Sequence, residues 1–385
     1  MAQSKARPLG MSAVFYDIIF TFVIDRLARS LLYANRGTID WRSCVSFGLM
    51  ALCSWTVWTY QVIYASRAPA RPLLDSLYLA LNLFLSIYLT TTIGVWTVAP
   101  TISTKLSTAL LFFSLASQYW LNGRGSAVKQ PAFIVPLLLG GVIACFATIV
   151  PGPAMGGQIL YVIGILIPAG GPWLLRNRIP ETNSHFRAIS TRITLFTVLL
   201  FARSVMQVTD SLANLELQPV LFFVSTVLML ASYLLVVELG IDAHTKQSSM
   251  FALLIHMPLM ATILMMANVT RLFINGRIIP VNFAIWMIIL LAIYTVALAL
   301  YLLVYQRDGL DTSLKRGRFF VIALLCFTLY GVVTVNIGAL FLMGMCAYLF
   351  ACDLFLWQFV LNPPQVSDDE PQDEDDANKN NHDSE

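Results

Sequence analysis

Three acidic side chains lie inside long apolar stretches of this chain: Asp17, Asp25 and Asp353. A charge at bilayer depth is costly, so such residues usually face a sheltered interior and mark a site. A carboxylic acid in an apolar pocket can donate a proton to a bound molecule. These three residues are therefore the candidate catalytic acids.

The first apolar stretch carries a polar stripe, because Asp17, Thr21, Asp25 and Arg29 are spaced four residues apart. Asp25 and Arg29 can pair with each other, which would give Asp25 a structural role. Asp17 has no basic partner on its own stretch. It must find one on another helix, take up a proton or face water.

Aromatic side chains are concentrated in the second apolar stretch, where Trp55, Trp58 and Tyr60 follow one another closely. Aromatic faces stabilise cations, so these residues are candidates for the wall of a substrate site. The alternative is an aromatic belt at the membrane interface.

Two further polar residues are candidates for substrate binding. Asn82 lies on a polar face of the third stretch with Asp75, Ser86 and Thr90, which indicates either helix-to-helix hydrogen bonding or the lining of a cavity. Arg203 lies within the seventh stretch and needs a carboxylate partner. Asp17, Asp25 and Asp353 are the available ones, and a purely structural ion pair is the alternative to a site.

The ninth stretch contains His256, Met257 and Pro258, and the proline is expected to interrupt this helix. A histidine at such a point can shuttle protons. A fully hydrogen-bonded interior histidine is the alternative. Because a proton-shuttling role is possible at this point, His256 is included among the candidate substrate-binding residues.

Composition excludes a soluble protein. The chain is 58% hydrophobic and 12% charged, with a mean hydropathy of +0.73, whereas soluble domains are about 25% charged. We predict an all-α fold, a polytopic transmembrane helical bundle of about twelve spans. The predicted spans are 12–32, 45–65, 75–98, 102–121, 132–150, 157–175, 190–209, 218–239, 248–268, 282–305, 317–336 and 339–361.

Three regions follow from this pattern. Residues 1–11 form the N-terminus, 12–361 the transmembrane domain, and 362–385 an acidic tail that is expected to be disordered. The first helix has no cleavage signature and is expected to be retained. Basic residues collect in the loops on the side of the termini, so the positive-inside rule places both termini in the cytoplasm.

No metal site or cofactor is expected. The six cysteines lack zinc-like spacing and are typical of packing residues. Asp368, Asp369 and Asp373 superficially resemble an aspartate-rich magnesium motif, but they follow two prolines in the tail. Walker, HExxH and GxSxG signatures are absent from the sequence. The expected partners are the lipid bilayer and a lipophilic small molecule, with no nucleic acid.

The motifs resemble those of the low temperature requirement A (LtrA) family of multipass membrane proteins. Phe-Tyr-Asp-Ile-Ile-Phe at residues 15–20, followed by the tryptophan-rich second stretch, is similar to the start of that family. Arg192 with Leu-Phe-Thr at 195–197, and His-Met-Pro-Leu at 256–259, are weaker similarities. The chain departs from the family pattern at Ala188 and Thr191, where histidine and glutamate are usual, and at Ala202-Arg203, where the family has glycine and glutamate.

The resemblance implies a function as well as a fold. Similar multipass proteins act as terpene cyclases in fungal meroterpenoid pathways, where they protonate an epoxide or alkene of a prenylated aromatic and direct carbocation cyclisation. We therefore expect a metal-independent, membrane-bound terpene cyclase acting on a farnesyl-type substrate, in the endoplasmic reticulum or another endomembrane, with the plasma membrane as the alternative. Asp17, Asp25 and Asp353 would supply the acid, and Trp55, Trp58 and Tyr60 the aromatic wall.

Two other classes of function remain open. A multipass transporter or channel would also use twelve spans, buried charges and a proline-broken helix. The two halves of the sequence show no clear repeat, which weighs against transport. A structural or signalling membrane protein, with the acidic tail binding a partner, is the third class.

Overall fold

The chain folds as an all-α bundle. The computed structural model describes residues 11–32, 34–35, 37–68, 71–92, 100–123, 130–149, 154–174, 183–212, 216–242, 248–307, 310 and 314–361. The predicted acidic tail and the first ten residues lie outside this part of the chain. So do many of the loops on which the predicted orientation rests.

Twelve α-helices follow one another, in the number predicted for the spans. They are α1 Met11–Ala28, α2 Trp41–Arg67, α3 Pro72–Thr92, α4 Ile102–Gly123, α5 Gln130–Ala147, α6 Ala154–Leu174, α7 Asn183–Leu212, α8 Leu217–Leu235, α9 Ser249–Ile274, α10 Pro280–Tyr305, α11 Leu314–Thr334 and α12 Gly338–Phe355. A short hairpin, β1 Ala34–Asn35 and β2 Thr38–Ile39, joins α1 to α2. One π-helical turn extends α8 and another extends α12, at Val236–Gly240 and Leu356–Leu361.

Seven of the described helices are long and apolar enough to cross a bilayer. They are α3 and α7 to α12, whereas α5 and α6 contribute shorter apolar stretches. The charged residues of helix α1 are Asp17, Asp25 and Arg26. A multipass membrane protein is the class that this set of helices defines.

The prediction that Pro258 interrupts the ninth helix was wrong. Helix α9 runs without a break from Ser249 to Ile274 with Pro258 inside it. A proline removes one backbone hydrogen bond, but the neighbouring helices hold α9 in place. Most of the residues of α9 are buried, including His256 and Leu259 on either side of the proline.

The two halves of the bundle repeat the same packing. In the first half, α1 packs against α2 and α3, α2 packs against α4 and α6, and α3 to α6 pack in sequence. In the second half, α7 packs against α8 and α9, α8 with its π-helical turn packs against α10 and α12, and α9 to α12 pack in sequence. The repeat is not evident in the sequence, because corresponding helices of the two halves can keep the same packing partners while their amino-acid sequences diverge.

The halves meet mainly where α1, α2 and α6 pack against α7 and α9. We call the contact between α1 and α7 the seam. At one end of the bundle the hairpin also joins the halves, because the Gly37 carbonyl accepts hydrogen bonds from the Ile279 amide (3.0 Å) and from Asn282 Nδ2 (2.9 Å). Gly37 has a φ of 77°, a conformation that glycine adopts without strain.

Candidate functional site

Asp17 is held by an arginine from the other half of the bundle. Arg192 Nη2 lies 2.6 Å from Asp17 Oδ1, and Arg192 Nε lies 3.0 Å from Oδ2. Trp58 Nε1 donates to Oδ1 at 2.8 Å. All three side chains are buried. The sequence left three possibilities for Asp17: a basic partner on another helix, a bound proton or contact with water. The structure shows the first, and the partner is Arg192.

A second ion pair lies further along the seam. Arg203 Nη2 contacts Asp25 Oδ2 at 2.7 Å, and Arg29 Nη2 contacts the same oxygen at 3.2 Å. Gln207 Nε2 donates to Oδ1 at 2.5 Å. The two predicted pairings, of Asp25 with Arg29 and of Arg203 with an aspartate, are both present. The two seam pairs occur in the same order along α1 and α7, so these helices run in the same direction.

Trp55 and Trp58 form a stacked pair beside the first ion pair. The rings of Trp55 and Trp58 lie 4.6 Å apart, and Phe196 of α7 packs against both. Trp55 Nε1 donates to the Leu253 carbonyl of α9 at 3.0 Å. The cluster therefore joins α2 to α7 and α9 in the centre of the bundle.

Tyr60 and Asn82 are directed away from the tryptophan cluster. The Tyr60 hydroxyl donates to the Pro168 carbonyl of α6 at 2.9 Å. Asn82 Nδ2 donates to Gln61 Oε1 at 3.5 Å, which ties α3 to α2. Both side chains are buried, and their hydrogen bonds link neighbouring helices.

His256 makes hydrogen bonds through both ring nitrogens. Nδ1 lies 2.8 Å from the Ala252 carbonyl oxygen, and Nε2 lies 3.2 Å from the Tyr233 hydroxyl. A carbonyl can only accept, so Nδ1 carries the proton and Nε2 accepts from Tyr233. The Tyr301 ring packs edge-on against the imidazole at 4.4 Å. Both ring nitrogens are therefore hydrogen-bonded within the bundle, which is the arrangement that an interior histidine without a catalytic role would have.

A cavity with a mixed polar and apolar lining lies beside the first ion pair. We call it the seam cavity; it is lined by residues of α1, α2, α3 and α7 and has a volume of about 240 Å³. Its polar lining includes Tyr16, Gln61, Tyr64, Asp75 and Arg192. Within the described part of the chain, Tyr16 Oη and Arg192 Nη1 have no hydrogen-bond partner.

A second, mostly apolar cavity lies in the other half, between α8, α10, α11 and α12. We call it the Asp353 cavity; its volume is about 110 Å³. Its polar lining residues are Ser232, Tyr294, Thr295, Tyr348, Cys352 and Asp353. Asp353 is 8% exposed, and neither of its carboxyl oxygens has a described donor in close hydrogen-bond geometry, although the Ser232 hydroxyl of α8 is a neighbouring group that interacts with it. Asp353 therefore differs from Asp17 and Asp25, whose carboxylates are paired.

Hydrogen bonds hold the two tyrosine side chains that line the Asp353 cavity. Tyr294 Oη donates to the Met229 carbonyl at 2.5 Å and lies 3.3 Å from Ser232 Oγ. The hydroxyls of Tyr348 and Thr295 lie 3.0 Å apart. The π-helical turns of α8 and α12 border the cavity through Val236 and Leu356, and such turns are frequent at functional sites.

The sequence did not single out the lining of the Asp353 cavity. Ser232, Tyr294 and Tyr348 come from three helices, and no local motif connects them. Of the predicted site residues, only Asp353 lines either cavity among the described residues; Trp55, Trp58, Tyr60, Asn82, Arg203 and His256 lie elsewhere in the bundle. No group of three His, Cys, Asp or Glu side chains within the described ranges could hold a metal ion.

Comparison with known proteins identifies the family. Residues 13–353 match the family described as bacterial low temperature requirement A protein (LtrA). No curated protein and no solved structure matched the chain. The chain belongs to the LtrA family, as its first helix and its Arg192 and His256 motifs predicted.

Proposed function

We propose that this protein is a membrane-bound terpene cyclase in which Asp353 is the proton donor. The observation that carries the proposal is a buried carboxyl group in the wall of an apolar cavity, which makes no ion pair with a described residue and has the uncharged Ser232 hydroxyl as a neighbour. An isolated charge in such surroundings costs several kcal/mol. The neutral acid is therefore the favoured form, and a neutral acid has a proton to give.

Asp17 and Asp25 are less suited to this role. Each is bound by an arginine from α7 and by a further nitrogen donor. The oxygens of both carboxyl groups are therefore already occupied by charge-assisted and indole or amide hydrogen bonds within the bundle. We assign a structural role to both residues: they hold the two halves of the bundle together.

The reaction conserves every atom of the substrate. The Asp353 proton goes to the oxygen of a terminal epoxide, the C–O bond to the more substituted carbon breaks, and the π electrons of a neighbouring alkene close the ring. Loss of a proton from the last cation to the Asp353 carboxylate restores the acid. The product is an isomer of the substrate.

Aromatic rings of the Asp353 cavity would stabilise the intermediate cations. Tyr294, Tyr348 and Phe320 line the cavity from three helices, and ring faces attract a nearby cation. Leu303, another lining residue, is 51% exposed on the side of the bundle. In a membrane that surface meets lipid, so a prenyl chain can enter from the bilayer of the endoplasmic reticulum or a related membrane.

Microsomes test the activity directly. Yeast microsomes containing the full chain would be incubated with the terminal epoxide of a farnesyl-substituted phenol. A cyclised product of unchanged mass is expected, and microsomes without the chain should not form it. No conversion of any prenylated epoxide or alkene by folded, membrane-inserted protein would contradict the proposal.

A transporter is the second candidate, and the repeated packing of the two halves favours it. Several transporters consist of two similar halves related by an axis along the membrane normal. The parallel helices α1 and α7 at the seam fit that arrangement, and their ion pairs would be the elements that rearrange. Sealed proteoliposomes with a pH-sensitive dye inside distinguish the two: proton entry coupled to an added substrate supports transport.

A further inference from the structure

We infer that the seam cavity is a second ligand site, which binds an uncharged molecule through a carbonyl oxygen held by Arg192 and Tyr16. The cavity volume of about 240 Å³ far exceeds the roughly 10–15 Å³ that one water molecule needs. Its walls come from α1, α2 and α3 of one half and α7 of the other. A bound molecule would therefore contact both halves of the bundle.

Two residues that line the cavity, Tyr16 and Arg192, carry buried hydrogen-bond donors. Arg192 is 4% exposed and Tyr16 is fully buried. Arg192 gives its Nε and Nη2 to Asp17, but within the described residues its Nη1 has no acceptor, and the Tyr16 hydroxyl has no partner. A buried donor left unpaired costs about 1–3 kcal/mol. A carbonyl oxygen can accept from both donors at once, because it has two lone pairs.

The charges around the cavity favour an uncharged ligand. The Arg192 guanidinium is already neutralised by Asp17 through two hydrogen bonds. Asp75, in the same wall, adds a carboxylate that accepts from the Tyr64 hydroxyl at 2.8 Å and from the Arg71 amide at 3.0 Å. Among the described lining residues Arg192 is the one basic side chain and it is already paired with Asp17, so an anion would bring a further negative charge to this wall.

This site is separate from the proposed cyclase site. The Asp353 cavity is lined only by helices of the second half, and the two cavities share no lining residue among those described. The inference therefore holds or fails independently of the cyclase activity. Apolar residues of the seam cavity, including Ala13, Ala65 and Leu79, would contact the body of the ligand.

Two probes of similar size test the inference. Binding of acetophenone, which is uncharged, and of benzoate, which is an anion, would be measured on the purified full chain in detergent by saturation-transfer NMR. We expect acetophenone to bind at least about tenfold more tightly than benzoate, since an unbalanced buried charge costs more than 1.4 kcal/mol.

Three variants locate the site. Tyr16→Phe removes one hydroxyl and should weaken acetophenone binding about fivefold. Arg192→Lys keeps the positive charge opposite Asp17 but removes the planar guanidinium group and its additional N–H donors. It should weaken acetophenone binding about tenfold or more. Tyr330→Phe is the matched control, because Tyr330 lies on the outer helix α11, where its hydroxyl donates to the Leu340 carbonyl, and it should bind as the original protein does.

Three results would overturn the inference. The first is benzoate binding as tightly as acetophenone. The second is unchanged acetophenone affinity in Tyr16→Phe, a variant that keeps the ring and its packing and so retains the fold even where Arg192→Lys does not. The third is that acetophenone does not bind to the folded protein.

Discussion

Asp17 and Arg192 lie 175 residues apart in sequence, and they meet as a buried, two-bonded ion pair at the contact between the two halves of the bundle. Each residue comes from the first helix of its own half. The pair therefore fixes how α1 lies against α7. Arg192 also lines the seam cavity.

Breaking this pair should destabilise the protein strongly. Asp17→Asn leaves the Arg192 charge buried without a counterion, which costs about 3–5 kcal/mol when one partner of such a pair is removed. The measurement is thermal unfolding of the purified protein in detergent. The control is Asp17→Asn combined with Arg192→Gln, which removes both charges and should recover much of the loss. Equal stability of the single and double variants would contradict this account of the seam.

The three nitrogen donors around Asp25 should contribute unequally. The Arg29 side chain is 49% exposed and that of Arg203 is 19% exposed. Solvent-exposed pairs contribute about 0–1 kcal/mol, so Arg29→Ala should change the unfolding temperature little. Arg203→Ala should lower it clearly more, in the same assay. The opposite order would show that Arg29, and not Arg203, holds Asp25 in the membrane.

Close helix packing in the first half depends on Gly171. A methyl group there would collide with the Tyr60 hydroxyl and would lie 3.0 Å from Leu137 Cδ1. Gly171→Ala should therefore cost about 1–3 kcal/mol of stability. Gly170→Ala is the matched control, because the nearest atom to its added methyl is Leu174 Cδ1 at 3.9 Å. In a Tyr60→Phe background Gly171→Ala should cost less, and an undiminished cost would remove Tyr60 from the explanation.

His256 should matter for stability and not for turnover. His256→Gln disrupts the hydrogen bonds to Ala252 and Tyr233, and losing a buried partner costs about 1–3 kcal/mol. His256 lines neither described cavity, so the cyclisation rate per folded molecule should stay near that of the original protein at low temperature. A large loss of rate in well-folded His256→Gln would instead support a proton shuttle.

The sequence predicted the elements better than their contacts. Apolar stretches of span length indicated the helices, and the four-residue spacing of Asp25 and Arg29 predicted their contact, because both depend on local geometry. The choice of Arg192 for Asp17 and of Arg203 for Asp25 depends on the register of α7 against α1, which no local pattern encodes. The same holds for the Asp353 cavity, whose walls come from four helices.

Two expectations from the sequence show that local patterns do not determine how a residue packs in the folded bundle. Pro258 weakens α9 locally, but the helices packed around α9 keep it continuous. Trp55 and Trp58 were predicted to form a cation-stabilising wall. They pack against each other and Phe196, with both indole nitrogens hydrogen-bonded. The wall itself stays a prediction.

The most direct measurement is the rate of epoxide cyclisation by Asp353→Asn in microsomes, relative to the original protein at equal amounts of folded chain. Asparagine keeps the size of the side chain but has no acidic proton. General acid catalysis contributes about 100- to 10,000-fold, so the rate should fall at least about 100-fold, while Asp353→Glu should retain part of it. Cyclisation by Asp353→Asn at the original rate would contradict the assignment of Asp353 as the proton donor.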